Sequence, residues 1–130
     1  MQVVRLLDMG KMDYQAAWDY QTDLHRVLVD QKMQNRHNPP ESYVQDHTFM
    51  LVEHPPVYTL GKSGSMDHLL LNETQLQERG IQYFPINRGG DITYHGPGQI
   101  VGYPILDLDF FFNDVHKYVR FLEETIIRTL

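Results

Sequence analysis

Apolar positions recur along the chain with two periods, one typical of strands and one typical of a helix. Residues 3–7 form a short apolar run, which predicts a first strand ended by Gly10. Asp13 is suited to cap a following helix, because apolar residues then recur every three or four positions. The predicted buried face of this helix comprises Ala17, Tyr20, Leu24, Val27 and Leu28. Two prolines after Asn38 predict its end, since the residue before a proline disfavours the α conformation.

Short apolar runs predict strands through the middle of the chain. Residues 48–52 form a continuous, largely apolar run, which at this length favours a strand buried on both faces. Residues 57–60 and 82–86 predict two further strands. Residues 99–108 predict another, and Pro104 marks an edge position or a bulge in it, because proline cannot donate to a strand ladder.

Capping residues predict two further helices. Asn72 and Gly80 are a candidate start and a candidate stop of a short one. Asn113 or Asp114 would cap a final helix whose apolar residues share one face. That face comprises Val115, Tyr118, Val119, Leu122, Ile126 and Leu130. Because the pattern reaches the last residue without a glycine or proline stop, we expect a longer protein and an exposed face where its remainder packs.

The composition resembles that of an ordinary globular protein. A length of 130 residues predicts one domain, residues 1–130, with its own core. With 42% hydrophobic residues the chain is not of a disordered class, and no apolar run is long enough to span a membrane. A formal net charge of -6 argues against nucleic-acid binding, which requires clustered basic residues. The first residues contain no signal-peptide core, so we expect a cytoplasmic protein.

The sequence contains no cysteine and seven histidines. The absence of cysteine excludes disulfides, thiolate zinc sites and a cysteine nucleophile within these residues. The histidines lack the spacing and the neighbours of a usual zinc site, so we expect no bound metal. Glu53 and His54 are adjacent and would point to opposite faces of a strand, so they are not expected to form a catalytic pair.

The stretch from residue 88 to residue 108 concentrates candidate chemistry between two strand-like segments. Four glycines in it allow a positive φ and close approach of the backbone to a ligand: Gly89, Gly90, Gly96 and Gly98. Irregular loops on a rigid scaffold commonly carry function. A phosphate-binding P-loop is disfavoured, because its lysine and hydroxyl residue are missing and the stretch leads into a strand rather than a helix.

Arg88 and His95 are the strongest candidates for substrate contact. Arg88 follows a strand and precedes two glycines, so we expect its guanidinium to bind an anionic or carbonyl group; the alternative is a surface ion pair. Thr93 and His95 should lie on one side of a short strand and Tyr94 on the other. His95 would bond near a reacting group or orient another side chain; the alternative is a buried histidine bonded to a backbone carbonyl.

Five further residues have weaker indications. Asp91 is expected to bond to its own backbone in a turn, and Gln99 to support the loop through its amide. Tyr58, Thr59 and Lys62 could line the same site. The first two equally suit a strand, and the lysine equally suits solvent.

A longer set of residues matches a family signature in order and spacing: Arg88, Gly89, Gly90, Thr93, Tyr94, His95, Gly96, Pro97, Gly98, Gln99, Val101 and Tyr103. The set resembles the signature of the octanoyltransferases of lipoate biosynthesis. Residues 53–61 resemble that family's upstream strand and turn, and Tyr14, Ala17 and Gln21 fit its first helix. The resemblance extends from Leu6 to the last residue.

The resemblance implies an α/β fold shared with lipoate and biotin protein ligases, with a mixed sheet backed by helices. Residues 1–130 would be the N-terminal portion of a larger catalytic domain. The implied activity moves an octanoyl group from acyl carrier protein to a lysine of lipoyl domains, including those of 2-oxoacid dehydrogenases and the glycine cleavage H protein. No cofactor, nucleic acid or membrane is implied.

In this family a cysteine takes the acyl chain as a thioester and a lysine activates that cysteine. Both are expected beyond Leu130, so no catalytic residue is expected here, and Lys117 lies outside any matching motif. The implied substrate-binding residues are Arg88, Gly89, Gly90, Asp91, Ile92, Thr93, Tyr94 and His95. The implied supporting residues are Gly96, Gly98, Gln99, Tyr58 and Lys62.

Two other functions stay open on the sequence. One is a relative of the lipoate and biotin ligases that activates its acid with ATP. The other is a non-catalytic acyl-binding module that kept the loop and lost the chemistry. An acidic carrier protein would also need a local basic patch for docking, and the sequence does not show one.

Overall fold

The computed structural model describes residues 2–130, and within that range six strands and three α-helices succeed one another. In chain order they are β1 (Val4–Lys11), α1 (Tyr14–Asn35), β2 (His47–Glu53), β3 (Val57–Leu60), α2 (Glu73–Glu78), β4 (Gln82–Pro85), β5 (Ile92–His95), β6 (Ile100–Ile105) and α3 (Val115–Thr129). The strands form two mixed three-stranded sheets, which confirms the predicted α/β class. Pro104 lies in β6, an edge strand, as predicted.

The first sheet has the strand order β1-β2-β6 and packs its inner face against α1. Met50 and Val52 of β2 are 0% and 1% exposed and form a core cluster with Ala17 of α1. Phe49 and Leu51, on the opposite face of β2, are only half-buried. The prediction of burial on both faces is therefore wrong, because alternate side chains of a strand point to opposite faces and α1 packs against the inner one.

The second sheet has the strand order β4-β3-β5. Its central strand is β3, in which Val57 and Thr59 are fully buried. The helix α2 links β3 to its parallel neighbour β4. Asn72 and Gln75 form a capping box at the start of α2, and Gly80, with a φ of +63°, follows its end. The predicted cap and stop of this short helix are confirmed, since glycine adopts that left-handed conformation without strain.

Two short connections carry the chain from one sheet to the other. Residues 54–56 lead from β2 into β3, and a turn leads from β5 into β6. In that turn the Gln99 amide donates to the Gly96 carbonyl over 3.2 Å, and Gly98 has a φ of +87°, as a type II turn requires. Because β2 with β6 and β3 with β5 are both antiparallel pairs, the four strands form one long hairpin that bends at His54.

The helix α1 begins as predicted, since the Asp13 carboxylate accepts a backbone hydrogen bond of 3.1 Å at its first turn. Its buried side chains are those of Tyr14, Ala17, Leu28 and Asn35. Tyr20 and Val27 are 39% and 43% exposed, so their predicted place on the buried face is wrong. The polar Asn35 is buried instead, because its amide both donates to and accepts from the backbone of Val44, which satisfies its hydrogen bonds.

The helix α3 is capped by Asp114, one of its two predicted caps. None of its residues is buried. Val115 and Ile126 are 68% and 57% exposed, as predicted, whereas Tyr118 and Leu122 are half-buried. Neither α3 nor any other helix within residues 2–130 combines the length and apolar character that crossing a bilayer would require.

Candidate functional site

Arg88 binds the centre of the second sheet rather than a surface carboxylate. Its Nη2 donates to the carbonyl oxygen and to the Oγ1 of Thr59 over 3.0 and 2.9 Å, and its Nη1 donates to the carbonyl oxygen of Gly89 over 2.9 Å. Thr59 is fully buried. No ion pair of Arg88 occurs within the described part of the chain, so the alternative of a surface ion pair is wrong.

The glycines after Arg88 allow two loops to approach each other. A Cβ on Gly61 would lie 2.3 Å from the Gly90 carbonyl oxygen, which no side chain tolerates. The Gly61 amide donates to the Asp91 carbonyl over 3.0 Å, and the Lys62 amide donates to the Arg88 carbonyl over 2.9 Å. The glycines after Arg88 were predicted to let the backbone approach a ligand closely. In the structure this close approach also holds residues 88–91, which we call the glycine loop, against the loop that follows β3.

Asp91 joins the same two loops through its side chain. One carboxylate oxygen accepts from the Ser65 amide over 3.2 Å, and the other bonds to Nδ1 of His68. Partial desolvation raises the pKa of Asp91, but hydrogen bonds from His68, Ile92 and Ser65 outweigh it and hold the pKa below its usual value. The predicted bond to nearby backbone is present at Ile92, but Asp91 also has two partners that are distant in sequence, Ser65 and His68.

The strand β5 divides the predicted site residues between two faces of the second sheet. Thr93 pairs with Thr59, and His95 lies toward the first sheet, 6.0 Å from the ring of His54. Tyr94 lies on the opposite face, where its ring is 5.2 Å from that of Tyr58. The predicted alternation is confirmed, and it places Tyr58 and Tyr94 away from the face that His95 shares with Thr59.

Two further positions of the predicted set, Ile92 and Lys62, lie away from this face. Ile92 is paired with Leu60 at the end of β3, on the same side of the sheet as the tyrosines. Lys62 meets the glycine loop through its backbone amide, and its side chain is exposed to solvent. Neither side chain therefore shares the face of His95.

Gln99, which was predicted to support the loop, bonds to His95 through its side chain. The distance from its Oε1 to Nδ1 of His95 is 2.7 Å, so the imidazole donates from Nδ1. In this arrangement Nε2 of His95 carries the lone pair. The turn formed by Gly96 and Gly98 brings Gln99 back to His95, four residues earlier in the chain.

His54 lies at the bend between the two sheets, although no site role was predicted for it. Its side chain is 1% exposed. Its Nδ1 lies 2.9 Å from the Met12 carbonyl oxygen, and its Nε2 lies 2.7 Å from the Tyr103 hydroxyl. A carbonyl oxygen can only accept, so Nδ1 carries the hydrogen and Nε2 accepts from Tyr103. The available sequence signal was a polar residue at a strand end before two prolines.

Burial shifts the ionisation of these groups toward the neutral forms. Desolvation lowers the pKa of His54 below its usual value. Desolvation, reinforced by the charge of Tyr14, raises the pKa of Tyr103 to about 12, although a hydrogen bond from Gln21 opposes the rise. Burial also raises the pKa of Tyr14, against the effect of the Arg88 charge. Tyr14, His54, His95 and Tyr103 together form what we call the sheet corner.

A cleft of about 350 Å³ opens beside the sheet corner. Its lining residues are Tyr14, Gln15, Trp18, Phe84, Pro85, Ile86 and Asn87. The rings of Tyr14 and Phe84 are 5.1 Å apart, and Asn87 directly precedes Arg88. The cleft therefore offers a mixed surface next to the glycine loop, with aromatic rings beside the polar side chains of Gln15 and Asn87. Within residues 2–130 no cluster of three acidic or histidine side chains has the arrangement of a metal site.

Comparisons with known proteins show the family of this chain. The model of the lipoyl protein ligase A/B catalytic domain matches residues 13–130. An octanoyltransferase of Flavobacterium psychrophilum is 58% identical over 127 residues, covering 98% of this chain and 54% of the relative. An octanoyltransferase of Parabacteroides distasonis is 45% identical over 130 residues, covering 100% of this chain and 56% of the relative. The chain spans about half the length of these curated relatives. It belongs to the lipoyl protein ligase A/B catalytic domain family.

Proposed function

We propose that this chain forms the acyl-binding wall of an octanoyltransferase. The enzyme takes an octanoyl group from acyl carrier protein and places it on a lysine of lipoyl domains, such as those of 2-oxoacid dehydrogenases and the glycine cleavage H protein. The observation that carries this proposal is the 58% identity to a relative named octanoyltransferase, over nearly the whole chain. The reaction proceeds in the cytoplasm and uses neither a metal nor a nucleic acid.

The two ends of an octanoyl thioester correspond to two neighbouring surfaces of the chain. The aromatic cleft beside Tyr14 and Phe84 suits the hydrocarbon tail, and each methylene buried there contributes about 0.8 kcal/mol. Its volume lies in the usual range of ligand pockets, about 300–1,000 Å³. Arg88 directly follows Asn87, which lines this cleft, and we assign its guanidinium and the polar groups that follow it to the thioester carbonyl. Substrate binding is therefore assigned to residues 88–95, with Gly96, Gly98 and Gln99 shaping the turn.

The chemical step requires a nucleophile that this chain does not supply, since it has no cysteine. We assign the thioester-forming cysteine, and the lysine that activates it, to residues outside this chain. The cysteine thiolate displaces the carrier thiol, and the lysine amine of the lipoyl domain then displaces the cysteine thiolate. The 130-residue chain alone should gain no octanoyl thioester when incubated with octanoyl carrier protein. Intact mass spectrometry checks this, and a hydroxylamine-labile adduct would contradict it.

A chimera tests the proposal directly. This chain replaces the matched 127 residues of the Flavobacterium psychrophilum octanoyltransferase, and octanoylation of a lipoyl domain is followed by mass spectrometry. The chimera should transfer the octanoyl group. Arg88→Ala should lower kcat/KM, whereas Arg26→Ala, which removes an exposed ion pair with Asp23, should leave it unchanged. A folded chimera without transfer activity would refute the proposal.

The same chimera separates the competing functions. If the chain belongs to an ATP-dependent ligase, the chimera will form octanoyl adenylate from free octanoate and ATP. If it is a non-catalytic acyl-binding module, the chimera will bind octanoyl carrier protein without transferring the acyl group. The relatives named octanoyltransferase favour neither of these outcomes.

A further inference from the structure

We infer that His54 is a positioning residue: it sets the angle at which the two sheets meet and thereby places His95 against the substrate. This inference rests on the proposed function, because the site it positions is the acyl site. His54 follows the last residue of β2 and stands at the bend of the long hairpin. Its side chain is buried, so it reaches the substrate only through its neighbours.

His54 lies against four separate parts of the fold. It bonds to the Met12 carbonyl, between β1 and α1, and to the Tyr103 hydroxyl, on β6. Its ring lies 5.3 Å from that of Tyr14, on α1, and 6.0 Å from that of His95, on β5. The first three contacts belong to the first sheet and its helix. The fourth belongs to the second sheet, so His54 links the face of His95 and Thr59 to the larger core.

The partners of residue 54 require one donor and one acceptor at opposite ends of a short rigid ring. The Met12 carbonyl demands a donor, which is Nδ1–H. The Tyr103 hydroxyl then donates to Nε2. Both ring nitrogens are satisfied and the imidazole stays neutral, so the ring has a single orientation. An aromatic hydrocarbon ring would fill the space and lose both bonds.

A small change in the orientation of the His54 ring would displace His95. The residues on either side of the bend belong to short strands, and His95 ends β5 immediately before the turn into β6. A misplacement of about 1 Å can lower a catalytic rate about 10²-fold, since reacting atoms must stay in a narrow geometry. Loss of the His54 bonds should therefore lower kcat more than it raises KM.

Kinetics of the chimera test the inference. Tyr103→Phe and His54→Phe should each lower kcat by up to about 10²-fold with KM near its parent value. His54→Gln retains one donor and one acceptor and should recover part of the kcat that His54→Phe loses. Leu28→Ala is the matched control, because Leu28 is buried in α1 and makes none of the corner contacts. Its thermal midpoint should fall at least as far, while kcat stays at the parent value.

Nitrogen-15 spectra of the histidines in the 130-residue chain provide a readout that does not need activity. His54 should carry its hydrogen on Nδ1, and Tyr103→Phe should shift the imidazole signals of His95, whereas Leu28→Ala should not. A hydrogen on Nε2 of His54, or a kcat loss no larger than that of Leu28→Ala, would overturn the inference. If the parent chimera is inactive, the proposed function fails, while a His95 signal that follows Tyr103→Phe still supports the positioning role.

Discussion

The sheet corner and α3 are opposite cases of side-chain burial. In the corner, His54 and Tyr14 are buried and Tyr103 is half-buried, and the two ring nitrogens of His54 bond to the Met12 carbonyl and the Tyr103 hydroxyl. In α3, a helix with a well-separated apolar face has no buried residue. A polar group can thus be more buried than an isoleucine. The polar group in the corner is buried because its hydrogen bonds are satisfied. The apolar face of α3 is exposed because it lacks a packing partner.

This difference shows what an amphipathic pattern does and does not indicate. The spacing of Val115, Val119 and Ile126 correctly predicts a helix with one apolar face. It does not say which surface covers that face, and within the described residues no element buries it. The sheet corner is buried although no local pattern predicts its burial. Its burial arises from contacts such as Met12 with His54 and His54 with Tyr103, which are 42 and 49 positions apart and which no local pattern contains.

Truncation of one apolar side chain in each region should give the largest contrast. Met50→Ala, in the core cluster behind the corner, should lower the free energy of unfolding by about 2–5 kcal/mol, because it leaves a cavity. Ile126→Ala, in α3, should change it by no more than about 0.5 kcal/mol. Urea denaturation of the two variants measures both values. Similar losses would mean that α3 packs against a surface in solution.

Removal of one hydroxyl from each region should give a smaller contrast. Tyr103→Phe should lower the free energy of unfolding by about 1–3 kcal/mol, because it leaves the buried Nε2 of His54 without its donor. Tyr118→Phe is the matched control in α3. Its hydroxyl makes no hydrogen bond within the described residues, so the change should be close to zero. Equal effects in thermal denaturation would contradict the central place given to the Tyr103 bond.

The buried histidines should make the stability pH-dependent. Desolvation lowers the folded-state pKa of His54 and of His47, so the unfolded chain binds protons more readily than the folded one. Their contribution is therefore complete above pH 6.5, the unfolded value, and is lost as pH falls toward the folded values. Each group adds a slope of at most about 1.4 kcal/mol per pH unit.

Unfolding curves between pH 7 and pH 5 measure this slope. His54→Gln should reduce it, whereas replacement of the exposed His116, in α3, by glutamine should leave it unchanged. A slope that does not respond to His54→Gln would assign the pH dependence to other groups.

The cap of α3 should give the smallest effect. Asp114→Ala removes the hydrogen bond that the Lys117 amide donates to the carboxylate and should cost about 1 kcal/mol of helix stability. Because α3 buries none of its residues, this loss should appear as fraying of α3 in amide exchange and should leave the corner protected. Faster exchange in β2 or β3 would show that the two regions unfold together.

Much of the local structure could be predicted from the sequence. Asp13, Asn72 and Asp114 were predicted caps because their side chains act on the next two or three residues of the same segment. The alternation of Thr93, Tyr94 and His95 follows from the period of a strand. The type of residue in the glycine loop also indicated a site, although substrate contact by Arg88 stays a prediction.

The partners of those residues came only from the tertiary structure. Arg88 bonds to Thr59, Asp91 to Ser65 and His68, and His54 to Met12 and Tyr103. Each of these bonds joins segments that lie far apart in the chain. Local rules describe how a residue acts on its immediate neighbours. The choice between a solvent-exposed and a buried, fully bonded polar side chain depends on which distant groups the fold brings within hydrogen-bonding distance.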